Sequence, residues 1–344
     1  NTEHLKYGTF IITNSRTDSL EADNFQAIVD TLTKWGEPFT AVKPSAISGL
    51  QPNARSRPSG ALHIPNEGFM DPHPVLSDIN AALSRDTRLH YQPFCIKHIA
   101  QRHDGTYLLT TDSMKTYTVD KVLVAAGIST QTLACEFWDS RNLPHILSGS
   151  GSTIRLRHRQ LRQREGVRTV NRGLACGIYT APYGDELVVG ATNRIGLRPT
   201  QTSAEDVTSI LLNVTEQIGT DLSDAEVIQI NRGSRPISSD GFPIVGEIHP
   251  GFFVASGTRR DGWHLAPLIA QSIATQMLEL TSTFDLSIYG VNHRPYRLVA
   301  REQSVRHAAR EYINSMFQHG YEEPRGHYGN YLLNNYKLAI EALH

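Results

Sequence analysis

The stretch VASGTRRDGWHLAP, Val254 to Pro267, decides the reading of this chain. Its first residues have the apolar run of a buried strand. Gly257 to Gly262 then read as a glycine-bounded turn that holds Thr258, Arg259, Arg260 and Asp261, and Trp263 opens an apolar helix expected to reach Leu280. Glycine lacks a Cβ, so a backbone can pass very close to a bound ring at such positions. A helix N-terminus offers free N–H groups and a partial positive charge. Arginines add fixed cations that can fork onto a carboxylate. Together these parts suit a site that holds an electron-rich ring beside an anionic substrate.

Outward from this stretch, the chain alternates helical and strand patterns. Gly8–Thr13 reads as a strand and Asn24–Trp35 as a helix ended by Gly36. Gly60–Pro72 reads as a strand, a glycine turn and a helix start, with the helix continuing over Pro74–Leu83. Strands are expected near Cys95–Ala100, Thr106–Thr111 and Tyr117–Asp120. Lys121–Gly127 is an aliphatic run expected to lie fully buried inside a parallel sheet. From Thr153 the strands alternate in polarity: Thr153–Arg159, Gly177–Ala181, Glu186–Thr192 and Ala225–Arg232, with a helix over Ala204–Ile218. Arg297–Gln318 is expected to be an amphipathic helix, and the segment from Tyr321 a surface extension. The mixture points to an α/β (α+β) fold in which a nucleotide-type unit meets an antiparallel sheet.

Composition narrows the class. The 344 residues are 39% hydrophobic with a formal net charge of −1, as in an ordinary globular protein. Balanced charge argues against nucleic acid or an anionic membrane as the main partner. No apolar run reaches the roughly 18 residues that span a bilayer. Cys95, Cys135 and Cys176 are dispersed and odd in number, which fits small core residues in a reducing, cytoplasmic setting better than a disulfide framework. The 15 histidines show no metal-ligand spacing, so no metal site is expected.

Four segments, in order, resemble the flavin-dependent amino-acid oxidases of the glycine oxidase, sarcosine oxidase and D-amino-acid oxidase superfamily. They are Gly60-Ala61-Leu62 with Pro65, Gly68 and Pro72; Leu123-Val124-Ala125-Ala126-Gly127; Glu186 to Thr192; and Arg235-Pro236 with Asp240 to Gly246, running into the opening stretch. The resemblance covers about Gly8 to Leu280 and implies FAD as cofactor. It divides the chain into a substrate-domain strand and helix (residues 1–60), part of an FAD-binding domain (61–150), an antiparallel substrate sheet (151–240), a return to the FAD-binding domain (241–283) and a C-terminal helical extension (284–344). The implied activity is oxidation of the C–N bond of an amino acid or secondary amine to an imine by hydride transfer to FAD, with O₂ as the expected acceptor. Two other roles stay open: a subunit of a multi-subunit dehydrogenase, and a non-catalytic binding protein.

The Gly-x-Gly-x-x-Gly turn that holds the FAD pyrophosphate in the family does not occur in this sequence, which makes the expected FAD-binding domain incomplete at its N-terminus. Gly149-Ser150-Gly151-Ser152 is the nearest approach, and it lacks the third glycine and a following helix. A second polypeptide or a cleaved N-terminal piece carrying that motif is therefore the expected partner; residues outside this sequence are the alternative.

The resemblance assigns roles residue by residue. Arg235 matches the arginine that forks onto the substrate carboxylate, against a simple ion pair with Asp240. Tyr179 matches a tyrosine whose hydroxyl touches the same carboxylate, against a packed core aromatic. Arg260 matches a second arginine beside the ring, with Arg259 as its neighbour. His264 stands as a proton acceptor or a packed histidine. Gly257, Thr258, Asp261, Gly262 and Trp263 are expected along the flavin edge, Ala126 and Gly127 along the pyrophosphate or ribose, and the backbone of Phe94 against adenine. Gly177 stands where the glycine oxidase branch carries a histidine, so the pocket is not identical to that branch.

Overall fold

The computed structural model describes residues 4–17, 19–171, 177–196, 201–281, 287–291, 299–318 and 328–342. Strand β1 (Leu5–Asn14) is followed by helix α1 (Ser19–Trp35), strands β2 (Thr40–Val42) and β3 (Pro58–Met70), and helix α2 (Pro72–Leu83). A meander of β4 (Ile96–Gln101), β5 (Tyr107–Thr111) and β6 (Thr116–Val119) leads to β7 (Val122–Val124) and the short helix α3 (Thr130–Leu133). Then come β8 (Ile146–Arg157), β9 (Gly166–Thr169), β10 (Tyr179–Tyr183), β11 (Glu186–Gly190), β12 (Arg194–Ile195) and α4 (Ala204–Gln217). The chain continues through β13 (Glu226–Ser238), β14 (Ile244–His249), β15 (Phe252–Ser256), α5 (Gly262–Met277), α6 (Arg301–Gln318) and α7 (Tyr328–Ala342).

Nine strands form one mixed sheet in the order β12-β8-β11-β10-β9-β1-β3-β2, with β13 on the other side of β8. All its pairs are antiparallel except β1 with β9. One face of this sheet buries Ile12, Ile154, Leu156, Leu187 and Val189 with Ile210 and Val214 of α4. Each such side chain contributes about 1.5–3 kcal/mol on leaving water. Ser203 caps α4 by accepting from the Asp206 N–H at 3.1 Å, and Arg194 ties the helix start to β12 through Asp206 at 2.9 Å and Glu205 at 2.6 Å.

A second platform is built from β14-β15-β7, in which β15 and β7 run parallel, Phe252 beside Val122 and Val254 beside Val124. Its core is aromatic: Tyr107 and Phe252 pack edge to face at 5.5 Å, and Phe137 lies 4.5 Å from Phe252. The Tyr107 hydroxyl is satisfied by the Pro250 carbonyl at 2.5 Å.

Several expectations change. Gly60–Met70 does not turn; it is part of the continuous β3, because Gly68 leaves space for the Lys6 carbonyl of β1 where a Cβ would collide. The divisions at residues 60 and 150 thus cut through β3 and β8. Strand β7 lies at a sheet edge with Leu123 42% exposed, not in a sheet interior, because only β15 pairs with it among the described residues. Strand β13 runs on through Arg235 and Pro236. Proline is tolerated there because β13 has a ladder only with β8 among the described residues, and on its outer side Pro236 accepts a hydrogen bond and is not called on to donate one. Helix α5 stops at Met277, before Glu279 enters the left-handed region at φ 57°. Beyond Tyr321, the expected surface extension contains the helix α7, which packs on α6 with Tyr312 and Tyr336 rings 4.8 Å apart. Cys95 and Cys135 are exposed, not core residues, and Cys176 lies outside the described residues.

Candidate active site

Register places Arg235 and Tyr179 on one sheet face. Opposed residues in antiparallel strands share a face, and alternate residues repeat it. Arg235 opposes Gly149, and Asn231 opposes Thr153, which opposes Gly190, which opposes Tyr179. The face between the two is floored by Gly149, Gly151, Gly190 and Gly233; neighbouring side chains lie over the first three, and the space over Gly233 is open. The Tyr179 ring lies across this floor, since a Cβ built on Gly190 would stand 3.2 Å from its ring carbons. The opposite face, through Ile154 and Val189, packs on α4.

Arg235 is half-buried, and its Nη1 donates to the Thr192 carbonyl at 3.3 Å and to Asn193 Oδ1 at 3.4 Å. Among the described residues no carboxylate pairs with it, and Nε and Nη2 donate to none of them. Its neighbours in the sheet differ: Arg155, Arg157, Arg168 and Arg194 are each held by carboxylates at 2.6–3.4 Å. Asp240, the alternative partner from sequence, accepts from the Phe242 N–H at 3.1 Å within its own turn.

The glycine–arginine turn is clamped to β13 immediately beyond Arg235. Thr258 forms a bridge with Ile237, and the Arg259 N–H donates to the Pro236 carbonyl at 2.8 Å. Gly257 has φ 73°, and a Cβ there would approach Ser238 Cβ to 3.2 Å. The glycine therefore serves the close approach of β13 as well as the left-handed turn. Arg259 also takes a left-handed φ of 52°. Asp261 closes the turn by donating its N–H to the Thr258 carbonyl at 2.8 Å, and α5 begins at Gly262 with its N-terminus beside the turn. Arg260 is half-buried within the turn. On the first turn of α5, His264 is exposed rather than packed, and Trp263 is exposed as well.

The parallel pair β7–β15 brings Gly127 beside this turn: the Ser256 hydroxyl donates to the Gly127 carbonyl at 2.9 Å. Gly127 has φ 57° with open space where a Cβ would be, and Ala126 is exposed. Carboxyl ends of parallel strands, two left-handed glycines and a helix N-terminus converge here, an arrangement that suits an anionic nucleotide cofactor. Phe94 lies before β4, with Lys115 Nζ 5.3 Å from its ring centre. Its N–H already donates to the Gln92 carbonyl at 2.9 Å, so the expected backbone contact to adenine cannot use that donor as the structure stands.

Sequence reasoning missed Thr192 and Asn193, which seat Arg235, and the Arg168–Glu67 pair (2.7 and 3.0 Å) in line with Tyr179. No spacing signals them; strand register alone brings them in. It also missed the bridge in which Arg155 joins Asp71, the cap of α2, to Glu186 at 3.2 and 3.0 Å. Hydrogen bonding from Arg155 holds Glu186 below its ordinary value of 4.5, against burial and with help from Arg157. Burial pushes Asp71 up, but bonds from His73 and Arg155 outweigh it and hold the carboxyl below 3.8. Burial raises the neighbouring Tyr183 phenol. Depressed carboxylates add stability that is complete above their unfolded values and lost as pH falls through the folded ones. We expect the urea midpoint to fall from pH 6 to pH 3. Arg155→Met should lose about 1–3 kcal/mol at pH 6 and show a smaller fall; an identical pH profile in the variant would remove the bridge from this explanation.

The family model described as DAO, FAD dependent oxidoreductase, matches residues 2–276. Glycine oxidase of Geobacillus kaustophilus (strain HTA426) is 26% identical over 261 residues, which are 74% of this chain and 66% of that protein. The chain thus spans just under two thirds of that relative's length. The solved glycine oxidase of Geobacillus kaustophilus superposes with a TM-score of 0.70 at 24% identity, covering 85% of this chain and 76% of that one. The solved iminodiacetate oxidase of Chelativorans sp. superposes with a TM-score of 0.67 at 18% identity, covering 84% and 78%.

Proposed function

The chain belongs to the DAO family of FAD-dependent oxidoreductases, and on that premise we propose that it oxidises the C–N bond of an amino acid or a carboxylate-bearing secondary amine to an imine. One observation carries the reading: among the described residues Arg235 has no carboxylate partner, unlike Arg155, Arg157 and Arg168 on its sheet face, and is held on Nη1 by neutral oxygens. Its Nε and Nη2 are the pair that forks onto a carboxylate. The open space over Gly233, on the same face as Arg235, leaves room for a small substrate, and Tyr179 supplies a hydroxyl from that face. FAD, when bound, accepts the hydride. The chain's own groups bind and orient. Arg235 fixes the carboxylate, the Gly257–Gly262 turn and the Ala126–Gly127 segment hold the cofactor, and the N-terminus of α5 favours negative charge on the ring edge. A substrate whose amine arrives neutral requires no strong base, and His264 is the available proton acceptor in the first turn of α5. The acceptor of this reading is O₂, and its setting is the cytoplasm.

The glycine turn for the pyrophosphate comes, in this reading, from another polypeptide or another segment of the same protein. Two observations support it. Strand β7 pairs only with β15 among the described residues, and α2 buries none of its residues, leaving Leu76, Ile79 and Leu83 exposed. Apolar surface of this kind is usually covered. Stoichiometric FAD on a preparation of this chain with no second polypeptide and no glycine motif would contradict it.

Tyr179→Phe deletes one hydroxyl and keeps the ring. We expect KM for glycine to rise about three- to tenfold, the size of one hydrogen bond, with kcat within a factor of about two. An unchanged KM would return Tyr179 to the role of a packed aromatic.

A further inference from the structure

The stretch Gly149-Ser150-Gly151-Ser152 is no phosphate loop; it lies within β8, beneath Arg235. Each glycine leaves a space that a particular neighbour fills. A Cβ on Gly151 would fall on Nη1 of Arg235 and on the Thr192 carbonyl oxygen. A Cβ on Gly149 would fall on Cδ1 of Ile237 and stand 3.1 Å from Asn193 Oδ1. The Thr192–Asn193 segment is itself laced to β8: the Ser152 N–H donates to Thr192 Oγ1 at 3.0 Å, and the Thr192 N–H returns to the Ser152 carbonyl at 3.3 Å. Asn193 is 6% exposed, so its amide is held in place and out of water.

We propose that Gly149, Gly151 and Asn193 form a seat that sets the orientation of the Arg235 guanidinium, making Asn193 a positioning residue for the substrate carboxylate. The amide oxygen draws Nη1 toward β8 without neutralising the cation. Nε and Nη2, which donate to none of the described residues, are thereby left for the ligand. A carboxylate in place of the amide would satisfy Arg235 internally and compete with the ligand. The choice of amide over acid at position 193 thus keeps the arginine available, since an ion pair at this half-buried site outweighs a neutral contact. This inference rests on the carboxylate-binding reading of Arg235.

The test uses the FAD-loaded enzyme with glycine, and acetate binding by calorimetry as a readout independent of turnover. Asn193→Asp is nearly isosteric and should fold. We expect its KM for glycine and its Kd for acetate each to rise about tenfold or more at neutral pH, about the weight of one added charge contact, with kcat within about threefold. Asn193→Leu, of similar size and without charge, should raise the acetate Kd only about threefold, well below the rise in Asn193→Asp, an ordering that mere loosening of the fold does not give. Gly151→Ala should also raise both constants. Should Gly151→Ala fail to fold, Asn193→Asp beside Asn193→Leu decides. Acetate and glycine constants within twofold of wild type in Asn193→Asp overturn the seat. A wild-type enzyme that binds no acetate and shows no glycine turnover strikes instead at the carboxylate reading of Arg235.

Discussion

Arg235→Ala should lower kcat/KM for glycine about a hundredfold to a thousandfold. The geometry sets the size. Nε and Nη2 are available for two parallel charge-assisted bonds, and the site is half-buried. Removing the cation leaves the substrate carboxylate without a partner, and loss of one member of such a pair costs about 2–5 kcal/mol. The loss should appear in both KM and kcat, since a carboxylate no longer fixed leaves the reacting carbon misplaced. Arg235→Lys keeps charge without the fork and should recover only part of the loss. Amines without a carboxylate should be oxidised equally by wild type and Arg235→Ala. Steady-state kinetics on the two substrate types checks this, and equal losses on both would assign Arg235 a structural role.

The largest effect on stability is expected from Phe252→Ala. Phe252 is fully buried between Tyr107 and Phe137 and starts the strand that ends at Ser256, immediately before Gly257. Removing a buried phenyl costs about 3–5 kcal/mol through lost transfer energy and the cavity left behind. The same change loosens the β7–β15 pair that places Gly127 beside the turn, so FAD affinity should fall with stability. Urea unfolding and flavin titration measure the two together. A stable Phe252→Ala protein that binds FAD normally would show that this platform does not position the cofactor.

Much of this was legible in the sequence because it depends on local signals. The helix of Asp206, Ile210 and Val214 shows its period, and Gly257 with Gly262 marks the turn before α5. The glycines, arginine and tyrosine of the site stand at recognisable offsets. What was not legible depends on pairing between distant segments. Gly149 and Gly151 resemble a phosphate turn until β8 is laid against β13, where they become the floor beneath Arg235. Lys121–Gly127 reads as interior strand because its residues are aliphatic, yet Leu123 is exposed since no strand beyond β7 is present among the described residues. Gly60–Pro72 reads as a strand broken by a glycine turn before the helix because glycine commonly marks a turn, whereas at Gly68 it admits the backbone of β1 and the strand runs on to Met70. Arg155 and Arg168 carry no motif, and only the folded chain reveals that their charges are already taken by Glu186, Asp71 and Glu67, while that of Arg235 meets no carboxylate among the described residues.

Oxidation of a carboxylate-bearing amine held by Arg235 should be visible on anaerobic mixing of the FAD-loaded protein with glycine or iminodiacetate while the visible flavin band is followed. We expect the band to bleach with wild type, to bleach at least about a hundredfold more slowly with Arg235→Ala, and to be indifferent to small alcohols. A band that persists with every amino acid and secondary amine tried, in protein that retains its FAD, would rule out amine oxidation at this site.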